Sequence, residues 1–131
     1  MDDCYRFVDP YLFFHGGLVP ADPVFVEIGS YTGAHAMGLL KAHPDGRVVV
    51  YEASPTNFAR LEQAIEGTAV IAHNQAVSGS DGQIEFYDFV DSPSSSSIYS
   101  RRSIFRRRTR GGSIKRVVPS VSIESLIKDN D

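Results

Sequence analysis

The chain has 131 residues, 42% of them hydrophobic, 11% aromatic and 22% charged, which is the balance of one globular domain and excludes a disordered segment. A single cysteine, Cys4, excludes a disulfide framework and a cysteine-based zinc cage. Met1-Asp2-Asp3 offers no basic n-region of a secretory signal, and no apolar run approaches the roughly 18 residues of a membrane helix, so a cytoplasmic protein without a membrane partner is expected. The net charge of −3 conceals a division: residues 1–100 carry 4 Lys and Arg against 13 Asp and Glu, and residues 101–131 carry 9 against 3.

In chain order, Val24-Phe25-Val26-Glu27-Ile28 is a continuous apolar run bounded by Pro23 and Gly29, the pattern of a buried parallel strand. Ala36, Leu39 and Leu40 then recur at helical spacing within residues 34–43, and Pro44 and Gly46 stop that helix. Val48-Val49-Val50-Tyr51 is a second strand ending at Glu52. Ser54-Pro55 is a good N-cap and first-turn pair for a second helix whose face carries Phe58, Leu61 and Ile65, with Gly67 at its end. Ala69-Val70-Ile71-Ala72 is a third strand. Strand, helix, strand, helix, strand with short right-handed crossovers predicts an α/β fold: a Rossmann-like half-domain of three parallel strands in the order 3-2-1. This core occupies residues 23–73, after a lead-in at 1–22.

Residues 74–131 read differently. Val77, the turn Gly79-Ser80-Asp81-Gly82 and the alternating run Gln83 to Val90 predict a β-hairpin. Asp91 to Ser100 is a serine-rich loop, and Arg101 to Arg116 is strongly basic. Lys115 to Val121 is a candidate strand, and Ser122 is placed to cap a short helix over Ile123 to Lys128.

The segment Glu27-Ile28-Gly29-Ser30-Tyr31-Thr32-Gly33, between a strand and a helix, has the form of a nucleotide-cradling turn. Gly29 lets the backbone bend toward a ligand, Gly33 permits close helix–strand packing, and the helix N-terminus offers backbone N–H groups. Glu52 stands 19 residues after Gly33 at the carboxyl end of the second strand, where a carboxylate can accept both ribose hydroxyls, a contact worth about 1.5–3 kcal/mol. Two features disfavour a dinucleotide and a nicotinamide dehydrogenase. Tyr31 stands where the G-x-G-x-x-G fingerprint needs glycine, and Glu27 would repel phosphates. A carboxylate there suits a cationic ligand, such as the amino group and sulfonium of S-adenosylmethionine.

The stretches Val24 to Gly33 and Val48 to Pro55, Asn74-Gln75-Ala76-Val77-Ser78 with Gly82 to Phe86, and the tail Val117 to Ile127 resemble the FkbM-type methyltransferases, S-adenosylmethionine-dependent enzymes of the class I fold. The resemblance implies that Glu27, Gly29 and Gly33 line the methionine end and that Glu52 holds the ribose, with Ser30 and Tyr31 of the same loop among the cofactor-binding residues. It also implies that Ala53 and Ser54 border the adenine, with Gln75 and Ala76 on its other side. At Tyr31 the chain departs from the family's usual Asn. The family continues into a fourth strand, K-x-D-x-E-G, whereas this sequence ends at Lys128-Asp129-Asn130-Asp131. A single, truncated S-adenosylmethionine-binding domain over 1–131 is therefore expected. Its first strand would become an exposed edge that seeks a second copy, a separately encoded C-terminal half or the chain's own hairpin.

The remaining candidates have blander readings. His15, His35, His43 and His73 include no obvious general base for removing a hydroxyl proton, and scattered imidazoles are more often surface residues. No His, Asp and Glu cluster has metal-ligand spacing. Arg106-Arg107-Arg108-Thr109-Arg110, with Tyr99 and Phe105, has the charge for nucleic acid, but no nucleic-acid module surrounds it, and a basic loop compensating an acidic body is the simpler expectation. The leading function is transfer of a methyl group to a hydroxyl of a sugar, polyketide or other small molecule. Its rival is a non-catalytic remnant that binds cofactor or, through the arginine-rich loop, nucleic acid.

Overall fold

The computed structural model describes residues 21–89, 96 and 113–131. The lead-in, with Cys4 and His15, and nearly all of the serine-rich and arginine-rich loops lie outside the described residues. The elements are β1 (Val24–Ile28), α1 (Ala34–Ala42), β2 (Arg47–Tyr51), α2 (Pro55–Ile65), β3 (Ile71–His73), β4 (Ala76–Ser78), β5 (Gly82–Phe89), β6 (Ser113–Ser122) and α3 (Ile123–Asn130). Strands β1, β2 and β3 form a parallel sheet in that order, as the strand–helix alternation predicts. None of the described helices is long and apolar enough to cross a membrane.

Both crossover helices pack on one face of this sheet. Val48 and Val50 meet Ala36 and Leu39 of α1 and Leu61 and Ile65 of α2, each large apolar side chain contributing about 1.5–3 kcal/mol by leaving water. The opposite face of β2 presents Val49 and Tyr51 to Val121 and Leu126, with Val77 alongside. Burial on both faces is why β2 reads as an unbroken β-branched run rather than an alternating one. Helix α2 starts where the sequence places it: the Ser54 hydroxyl accepts the Asn57 N–H at 3.2 Å and Pro55 takes the first turn. Strand β3 begins two residues later than the apolar run suggests. Thr68 accounts for this, since its N–H and hydroxyl both donate to the Ile65 carbonyl and its hydroxyl accepts from Val70 N–H.

Strand β1 corrects one expectation. Its residues Val26 and Ile28 stand in register with Val49 and Tyr51, but the cover over that face stops at β2. Val24, Val26 and Ile28 remain 45%, 37% and 54% exposed, and among the described residues β1 pairs only with β2. Among the described residues the run is the exposed edge expected above, with one apolar face open, and not the buried strand that its apolar pattern alone predicts.

The expected hairpin is also corrected. Strands β4 and β5 do not pair with each other; both pair with β6, β4 in parallel and β5 antiparallel. The polar turn between them reaches over the end of β6. Asp81 accepts the Ser122 N–H and, at 2.7 Å, the Ser125 hydroxyl. The Ser80 carbonyl accepts hydroxyls from Ser78 and Ser120. A turn whose polar groups, the Asp81 carboxylate and the Ser80 carbonyl, are committed to β6 and α3 wraps a third strand instead of closing a tight hairpin. Helix α3 follows directly, with the Ser122 hydroxyl accepting the Ser125 N–H at 3.1 Å, as the capping pattern predicts.

Candidate functional site

The site begins with the backbone of the loop after β1. Gly29, Tyr31 and Gly33 have φ of 79°, 53° and 76°, while Ser30 and Thr32 between them do not enter the left-handed region. Glycine takes this conformation freely, but at Tyr31 it carries local strain of about 1–2 kcal/mol. A Cβ built on Gly29 would meet nothing within 4 Å, so this turn is open on its outer side. A Cβ on Gly33 would stand 2.7 Å from Leu61 Cδ1 and 3.3 Å from Ile65 Cγ2. Gly33 therefore admits α2 against the start of α1, a helix–helix rather than a helix–strand contact.

Alternating backbone handedness of this kind gathers N–H groups into a concavity suited to anions. Here the amides of Gly29, Ser30, Tyr31 and Gly33 already have acceptors. Gly29 and Ser30 N–H donate to the Tyr51 carbonyl, and Gly33 N–H to the Ser30 carbonyl. Tyr31 N–H donates to Glu52 Oε2 at 2.9 Å. The anion in the concavity is Glu52 itself, which is 5% exposed and accepts the Ser54 N–H on its other oxygen at 2.8 Å. One carboxylate thus ties the loop after β1 to the turn after β2, and the strain at Tyr31 is held by that bond.

A second carboxylate guards the start of α1. Glu27 Oε2 accepts the Ser30 hydroxyl at 3.0 Å, and Oε1 lies 3.5 Å from His35 Nδ1. Burial pushes the Glu27 carboxyl above its ordinary 4.5, against the opposing pull of the Ser30 hydroxyl, His35 and the Ala36 amide. His35 reads in the sequence as a surface imidazole; the helix geometry brings it onto Glu27.

The remaining candidates border the turn after β2. Asn74 Nδ2 donates to the carbonyls of Glu52, at 2.7 Å, and Ala53. Ala53 packs against the cluster of Ala76, Phe86 and Val118, so Ala76 is a core residue at 3% exposure while Gln75 is half-buried beside it. Ser54 is fully buried, and its hydroxyl is committed to Asn57 N–H and Asp88. It shapes the turn from inside and presents no hydroxyl to a ligand.

No protein-family model matches the chain, and no curated protein is significantly similar to it. Among the described residues no group of three His, Cys, Asp or Glu is placed to hold a metal ion. Of the basic stretch, Lys115 and Arg116 are described, and both face acids of β5: Lys115 pairs with Glu85, and Arg116 Nε lies 3.0 Å from Asp88 Oδ2. Asp88 is the residue that sequence reasoning passes over. It is 1% exposed and accepts from Ser54, Thr56, Ser96 and Arg116. The signal was its phase: Asp88 shares the face of the inward Ile84 and Phe86, and an acid on the apolar phase of a strand needs partners.

Proposed function

We propose that this chain binds S-adenosylmethionine at the carboxyl ends of β1 and β2, as a class I methyltransferase-type domain acting on a hydroxyl of a small molecule. The observation that carries the reading is the pair of carboxylates. Glu52 takes the loop amide at Tyr31, and Glu27 stands at the start of α1, so the positions where a pyrophosphate would sit are already negative. An adenosyl ligand whose charged end is a cation suits that arrangement; NAD does not.

The residues present fit such a ligand. The open turn at Gly29 allows close approach, Glu27 supplies a carboxylate for the cationic end, and Glu52 retains acceptor capacity toward ribose hydroxyls after its two amide bonds. When bound, the cofactor supplies an activated methyl group on sulfur. Glu27 is the group that responds electrostatically: a cation beside it favours its ionised form, so binding releases protons at pH just above the ordinary 4.5.

A second reading, cofactor binding without turnover, is favoured by the described histidines. His35 pairs with Glu27, His43 packs on Phe25, and His73 stacks on Tyr51, so each is engaged by a neighbour. Formation of S-adenosylhomocysteine from S-adenosylmethionine in the presence of a panel of sugar and polyketide alcohols, above the rate without an alcohol, separates the two readings.

Calorimetry tests the binding itself. S-adenosylmethionine and S-adenosylhomocysteine are expected to bind and NAD not to. Glu52→Gln should weaken the adenosyl ligands about ten- to a hundredfold, the loss of one charged contact. Tighter binding of NAD, or an unchanged affinity in the variant, contradicts the assignment.

A further inference from the structure

We infer that Asp88, on the second sheet, is a positioning residue for the ribose-binding carboxylate of Glu52. The inference rests on the reading of the turn after β2 as a nucleoside site. A continuous chain of hydrogen bonds connects the two acids. Asp88 Oδ1 accepts the Ser54 hydroxyl at 2.9 Å, Ser54 N–H donates to Glu52 Oε1 at 2.8 Å, and Glu52 Oε2 accepts Tyr31 N–H at 2.9 Å. Ser54 and Asp88 are fully or almost fully buried, so the two bonds through Ser54 run where water does not compete, while the Tyr31 end of the chain is only partly buried.

The chemistry at Asp88 is that of an anchor. Oδ1 also accepts the Ser96 hydroxyl at 3.2 Å, while Oδ2 accepts Thr56 Oγ1 at 3.2 Å and Arg116 Nε at 3.0 Å. Four donors occupy its acceptor sites, and Arg116 balances its charge. Two of those donors, Ser54 and Thr56, belong to the N-terminus of α2, whereas Arg116 belongs to β6. Asp88 thus fastens the start of α2 to the second sheet. Because Ser54 donates its proton to Asp88, its oxygen is turned to accept Asn57 N–H, which fixes the orientation of the residue whose amide holds Glu52. Asn74 grips the same turn through the Glu52 and Ala53 carbonyls. The rotamer of Glu52 is therefore set from the second sheet.

The test compares 5′-methylthioadenosine with its 2′,3′-dideoxy counterpart, which has no ribose hydroxyls for Glu52. The wild-type chain is expected to prefer the hydroxylated ligand by about tenfold or more. Asp88→Asn keeps the volume but loses the charge. It should reduce that preference to about threefold or less, with the affinity for the dideoxy ligand little changed. Val118→Ala, a cavity in the second-sheet core, lowers stability but should retain the wild-type preference. If Asp88→Asn does not fold, Ser54→Ala takes its place, and hydrogen exchange of the residue 31 and 54 amides should rise about tenfold relative to the amides of β1 and β2. A preserved ribose preference in Asp88→Asn, or unchanged exchange in Ser54→Ala, overturns the role of Asp88. A wild-type chain that binds neither nucleoside, or both equally, overturns the nucleoside reading itself and this inference with it.

Discussion

The two sheets divide the labour unequally. The first, with its loops, carries Glu27, Gly29, Ser30, Tyr31, Gly33 and Glu52, all at the carboxyl ends of parallel strands. The second carries only the buried Ala76 among the candidate contacts, yet through Asp88 it holds the turn that bears Glu52. Parallel strands with short crossovers direct their loops to one end, which makes a binding edge almost automatic. They do not fix side chains at that edge, and a buried ionic hub on a neighbouring sheet does.

The largest expected effect comes from breaking that hub. Asp88→Ala leaves the Arg116 guanidinium and three hydroxyls without their acceptor, and should lower stability by about 3 kcal/mol in urea unfolding. Glu85→Ala, on the exposed side of the same strand, should leave the midpoint unchanged. Equal effects at the two positions would remove Asp88 from its special place.

A smaller effect separates structure from ligand binding within the loop itself. Gly33→Ala drives a Cβ into Leu61 and places alanine at a positive φ, so about 2 kcal/mol of stability should be lost. Gly29→Ala meets no atom within 4 Å and should lose about 1 kcal/mol. The ligand affinities should reverse this order, because the proposed ligand would approach on the open side of Gly29. Thermal unfolding and calorimetry of the two variants, measured side by side, check both halves.

The smallest effect is a pH dependence. Glu27 binds its proton more tightly in the folded chain, chiefly because it is buried. Just above the ordinary 4.5 the unfolded chain has therefore released a proton that the folded chain keeps, and stability falls as pH rises until Glu27 ionises in the folded state. Glu27→Gln should remove that fall and leave the variant relatively more stable at neutral pH. A wild-type curve that rises across the same interval would contradict the burial of this carboxyl.

The parts of the fold that local chemistry determines were legible. Ser54-Pro55 and Ser122 capped the helices predicted for them, and the β-branched run of β2 lay at the centre of its sheet. What tertiary partners decide was not. Nothing local in Gly79 to Gly82 reveals that Asp81 and Ser80 will bind β6 and α3 rather than close a hairpin. The run of β1 looks the same whether or not its second face is covered. Glu27, Gly29 and Glu52 were singled out by motif spacing, and the fold brings them to the carboxyl ends of β1 and β2, whereas the contact of His35 with Glu27 depends on the sharp turn of the loop, which brings the start of α1 back over the strand end.

The central claim, that the carboxylates at the ends of β1 and β2 form an adenosyl site, is tested most directly by mapping amide chemical shifts during titration with S-adenosylhomocysteine. Changes concentrated at residues 29–33, 52–54 and 75, with α3 and the exposed face of β5 and β6 unmoved, are the predicted result. Changes centred on β5 and β6, or none at a ligand concentration well above that of the protein, would contradict it.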